Sequence, residues 1–139
     1  MPLALCLAAG SLATALALGT DGGFTLAWTH SIEKIRWEED YRAETVASDG
    51  GGGQVLLLRL TEARIRGSGA GMEPPEGARL DEHGVWHYVP KLAPLPVLRI
   101  TQSQFTQGYE LCRGGECLPL TELLSGLADG VVELRACAG

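Results

Sequence analysis

Phe24-Thr25-Leu26-Ala27-Trp28-Thr29 and, beyond a turn, Trp37-Glu38-Glu39-Asp40-Tyr41-Arg42-Ala43 decide the fold class. In the first stretch Phe24, Leu26 and Trp28 share one face, and Thr25, Ala27 and Thr29 share the other. A period of two belongs to a half-buried strand. Trp37, Glu39, Tyr41 and Ala43 alternate in the same way, so a second strand is expected over residues 35–46, with residues 31–34 as the turn. Working outward, residues 49–53 are a glycine-rich loop, because successive glycines lose too much backbone entropy to hold a strand. Residues 55–65 return to extended structure, with Leu57, Arg59 and Thr61 opposite Leu56, Leu58 and Leu60. The first half of that run is apolar on both faces, which predicts a central strand.

Gly67-Ser68-Gly69-Ala70-Gly71 and Met72-Glu73-Pro74-Pro75 then break the pattern. Two further strands are expected at 86–89 and 97–105, joined through Pro90, Pro94 and Pro96, which cannot donate to a ladder. Residues 120–127 read as one or two helical turns with Thr121 as the cap, and residues 131–137 as a closing strand. Short strands at this spacing, with one short helix, predict an all-β fold: an antiparallel sandwich or partly open barrel.

Residues 1–20 carry none of the 11 Lys and Arg or the 17 Asp and Glu of the chain. Leucines interleaved with alanine there read as a signal peptide or a single membrane anchor over residues 1–19, with cleavage favoured near Gly19. Residues 20–139 would then form one β domain in the periplasm or on the outer face of the inner membrane, with membrane contact through residues 1–19. The net charge of −6 argues against a nucleic-acid partner, which needs a basic face to displace counterions.

Cys112 and Cys117 flank Arg113-Gly114-Gly115-Glu116. Gly114-Gly115 suits a two-residue hairpin turn that needs positive φ twice, which opposes the two cysteines across the strands. Directly opposed positions bring Cβ atoms to about 4.5–5.5 Å, so a structural disulfide is favoured over free thiols or a redox pair. The Cα atoms are expected about 4.4–6.8 Å apart. Cys137 is left over and reads as a buried thiol. Cys6 lacks the small residue before it that a lipoprotein cysteine needs.

Candidate site residues come from three places. His30, Ser31 and Glu33 lie at a strand end, Glu39 lies in the next strand, and Arg64 and Arg66 lead into the glycine loop around Gly69. Loop amides beside two arginines could cradle an anion. His83 and His87 stand four apart, but Gly84 and the strand pattern of Trp86-His87-Tyr88-Val89 deny the helix that would turn them into a metal pair. No metal or cofactor is expected. Convergence of His30, Glu39, Arg64 and Arg66 on one concave pocket would favour a ligand-binding or hydrolytic site.

The block from Phe24 through His30-Ser31-Ile32-Glu33-Lys34, then Trp37-Glu38-Glu39, the Gly67–Met72 loop and the stretch from Gly108 to Leu120 resemble the bacterial DUF1850 family. The resemblance implies a small exported protein encoded beside subunits of tripartite ATP-independent periplasmic (TRAP) transporters with TAXI solute receptors. It brings no catalytic residue. The expected function is an exported accessory or interaction module, partnered with the membrane subunits or solute receptor of such a transporter. The alternative is an anion-binding domain or hydrolase near His30 and the glycine loop.

Overall fold

The computed structural model describes residues 3–29, 35–48, 50, 53–66, 76–104 and 108–139. The strands are β1 (Leu3–Ala9), β2 (Leu12–Ala17), β3 (Gly23–Thr29), β4 (Arg36–Ala47), β5 (Gln54–Arg66), β6 (Arg79–Leu80), β7 (Val85–Tyr88), β8 (Leu98–Gln102), β9 (Glu110–Arg113), β10 (Glu116–Pro119) and β11 (Gly130–Ala138). They form a four-stranded sheet, β2-β1-β11-β8, and a seven-stranded sheet, β10-β9-β3-β4-β5-β7-β6. Neighbouring strands are antiparallel, as an all-β sandwich requires. The core lies between the sheets. Leu5, Leu7, Val132 and Leu134 from the smaller meet Phe24, Leu26, Leu58 and Leu111 from the larger. Each fully buried leucine contributes about 2 kcal/mol relative to exposure.

Residues 3–18, expected to stand outside the domain as a leader, are built into it. Leu5 and Leu7 are buried on the core side of β1, while Leu12 and Leu16 pack against the same core from β2. The alternate positions Ala13, Ala15 and Ala17 are exposed. Alanine on the solvent face gives no polar phase, so a strand pair carries the composition of an apolar leader. The domain boundary expected at residue 19 therefore falls inside the fold. Among the described residues, no helix is long and apolar enough to cross a membrane.

Gly22 makes the corner between the sheets. Its φ is 69°, its carbonyl accepts the Ala43 N–H at 2.8 Å, and an added Cβ would lie 2.8 Å from the Ala43 carbonyl oxygen. A side chain there would force the corner open.

A bulge sets the faces of β5. Asp40 pairs with Glu62 but Tyr41 pairs with Leu60, leaving Thr61 unopposed. The extra residue shifts the alternation by one. Leu58 and Leu60 point inward before it, and Ala63 and Ile65 after it, so Arg59 and then Arg64 and Arg66 all face out.

Cys112 and Cys117 form the expected disulfide across the β9–β10 hairpin, and Gly114 and Gly115 have φ of 58° and 82°. Their Cα atoms are 4.0 Å apart, shorter than the expected range, at a directly opposed pair of positions in the hairpin. Cys137 is not a free thiol: it is bonded to Cys6, 131 positions away. The helix is shorter than expected, only α1 (Leu120–Leu123), and Pro119 stands at its N-cap without a side-chain cap, so Thr121 does not serve there.

Candidate functional site

β4 carries carboxylates on both faces. On the outer face, Arg64 of β5 donates from Nε to Glu38 at 3.0 Å, from Nη2 to Asp40 at 2.7 Å and from Nη1 to Glu62 at 3.2 Å. Arg36 bridges Glu38 at 3.1 Å and Glu110 of β9 at 2.7 Å, and Arg66 donates to Glu38 at 2.8 Å. Thr25 of β3 donates its hydroxyl to Asp40 at 2.6 Å. Burial alone would raise the Glu38 and Asp40 carboxyls. Hydrogen bonds from the arginines prevail and hold both below the usual range. The same contacts push the Arg64 guanidinium upward, led by Asp40. Above this lattice lies an open cleft of about 500 Å3, bounded by Thr25, Asp40, Arg64, Arg66 and the Cys112–Cys117 hairpin.

The lattice continues to the sheet edge through His87 of β7. One ring nitrogen, Nδ1, lies 2.9 Å from Glu62, and the other, Nε2, lies 2.7 Å from Asp81 in the β6–β7 turn. Two carboxylates on opposite ring nitrogens ask for two donors, which only the imidazolium supplies. The Glu62 and then the Asp81 hydrogen bonds raise the His87 pKa. Asp81 is held down at about 2, by His87 first and then by the Val85 amide.

The inner face of β4 differs. Glu39 is paired between Leu26 and Ala63, both buried, at a position where the register requires an apolar side chain. Its side-chain hydrogen bond comes from the Tyr41 hydroxyl at 3.0 Å. Among the described residues no Lys, Arg or His forms an ion pair with it. Burial raises the Glu39 pKa, offset in part by that bond. Aromatic side chains border it. Trp28 stacks on Trp37 with centroids 6.1 Å apart and meets Tyr109 at 5.4 Å. The Glu39 charge also raises the phenols of Tyr88 and Tyr109, after burial, so both rings lie within its field.

The expected convergence does not occur. Glu39 points into the sandwich whereas Arg64 and Arg66 point out, because adjacent strand positions face opposite sides. His30, Ser31, Glu33 and Gly69 lie outside the described residues. Glu38, Asp40, Glu62, Asp81 and His87 were not singled out as a cluster. The Trp86-His87-Tyr88 alternation sets His87 on the opposite face from the aromatics, but its partners come from β5 and the β6–β7 turn. His83 is exposed and near Glu82, apart from His87. Among the described residues no group of three or more His, Cys, Asp or Glu is arranged to hold a metal ion.

No curated protein and no solved structure matches the chain. The family described as a domain of unknown function, DUF1850, matches residues 24–120. That span encloses the larger sheet, all but Gly23, and so contains both faces of β4 with their carboxylates. It covers well over half of the chain, which therefore belongs to the DUF1850 family.

Proposed function

We propose that this protein is an extracytoplasmic accessory module that acts by binding, and that its partner is the membrane subunits or solute receptor of a TRAP transporter of the TAXI type. The observation that carries the compartment is the pairing of all four cysteines, one bond tying the first strand to the last. Such bonds persist where the surroundings are oxidising. Binding is favoured over chemistry by the state of the charged groups. Arg64 is committed to three carboxylates and His87 to two, and Glu39 lies on the opposite face from them, so the charged groups of the outer face are engaged with one another as ties between strands. The transporter is the neighbour that the family resemblance implies.

The test is fractionation followed by affinity capture of the tagged protein from membranes solubilised in mild detergent. The reading expects the protein outside the cytoplasm with both disulfides closed, and the transporter subunits in the eluate. Recovery from the cytosol with four reduced cysteines would overturn it.

A further inference from the structure

Glu39 breaks the pattern of its own strand. Its neighbours on the inner face are Trp37 and Tyr41 along β4, Leu26 across on β3 and Ala63 across on β5. A glutamine would take the same bond from Tyr41 without the cost of burying a charge. A local rule broken inside an otherwise consistent sheet is the mark of a group kept for a ligand. The site also keeps partial access to solvent. Glu39, Trp28, Trp37, Tyr88 and Tyr109 each keep part of their surface exposed, in contrast to Leu26 and Ala63 beside them.

A half-buried carboxylate that no Lys, Arg or His among the described residues pairs with, bordered by aromatic rings, matches one ligand chemistry. An organic cation offsets the charge while its alkyl groups and its positive field lie on the ring faces. We propose that this end of the larger sheet's inner face binds an alkylammonium group, with Glu39 as the counter-charge and Trp28, Trp37 and Tyr109 as the aromatic wall. The outer face cannot do this, because Glu38 and Asp40 already hold arginines. The proposal rests on reading the chain as a binding module, but not on the transporter. Failed co-purification leaves it standing, and failed amine binding leaves the compartment untouched.

The ammonium comes either from a free amine or from a lysine side chain of a protein partner. Titration of the full chain with n-butylammonium chloride and with N-acetyl-lysinamide, at matched ionic strength, distinguishes them. The readouts are heat and tryptophan fluorescence, with Trp28 and Trp37 as reporters. Saturable binding is expected with at least one probe, and the tighter probe identifies the source. Glu39→Gln should weaken it by about tenfold or more, the loss of a charge-assisted contact, while keeping or raising the melting temperature. Binding should strengthen as pH rises through the titration of Glu39. No saturable response to either probe in the wild type, or equal binding in folded Glu39→Gln, would overturn the proposal.

Discussion

Glu38 and Asp40 on one face of β4 and Glu39 on the other are sequence neighbours in opposite physical states. The outer pair sits in a lattice of arginines and is held below the ordinary carboxylate range. The inner residue sits among aromatic rings with a phenolic donor and is held above it. All three are partly buried, so burial does not separate them; the partners do. Where cations from β5 reach a carboxylate, it is a structural tie across strands. Where none does, the carboxylate costs stability and remains available.

The comparison depends on the smaller sheet covering the inner face, and the Cys6–Cys137 bond holds that sheet's β1 to β11. Replacing both cysteines by alanine should cost the most, about 4–5 kcal/mol from chain entropy for a loop of 131 positions. Opening the Cys112–Cys117 hairpin should cost about 2 kcal/mol because its loop is short. Urea midpoints with and without each bond would show the order, and equal costs would mean that the N-terminal hairpin adds little to the sandwich.

The outer lattice can be broken at its hub. Arg64→Met leaves three carboxylates facing one another, and we expect a loss of about 2–3 kcal/mol, less than for a fully buried pair because Asp40 and Glu62 are each 31% exposed. Denaturation of the variant measures it. A change within about 0.5 kcal/mol would show the lattice to be an ordinary solvated surface.

How much of this was legible depended on whether a contrast of polar and apolar positions was written into the chain. The strands around Trp28 and Trp37 were legible because Thr25 and Glu38 alternate with aromatics. So was the Gly114-Gly115 hairpin, which needs no long-range partner. Residues 3–18 were not, because Ala13, Ala15 and Ala17 look apolar while facing solvent, and Cys6 finds its partner at the other end of the chain. The inner placement of Glu39 was present in its alternation with Trp37 and Tyr41. Grouping it with Arg64 and Arg66 overrode that alternation. The bulge at Thr61 left a trace in the switch from Arg59 to Arg64 and Arg66, odd then even, which a single phase over residues 55–65 missed.

His87 offers a smaller, pH-dependent way to sharpen the contrast. Its folded pKa lies above the ordinary value of 6.5, so the stability it adds is complete below about that pH and is lost as pH rises through the folded value. Asp81 works from the other side, its share being lost as pH falls through about 2. Melting temperatures of the wild type and His87→Gln, compared from pH 5 to 9, should differ most at the acid end and converge at the alkaline end. A constant difference would mean that His87 contributes by packing alone.

The most direct test is a carboxyl carbon NMR titration of Glu38, Glu39 and Asp40 in one sample. The account predicts that Glu39 titrates above the ordinary glutamate value of 4.5, while Glu38 titrates below it and Asp40 below the ordinary aspartate value of 3.8. Glu39 titrating at or below Glu38 would contradict the account, because the two faces of β4 would then hold their carboxylates in the same state.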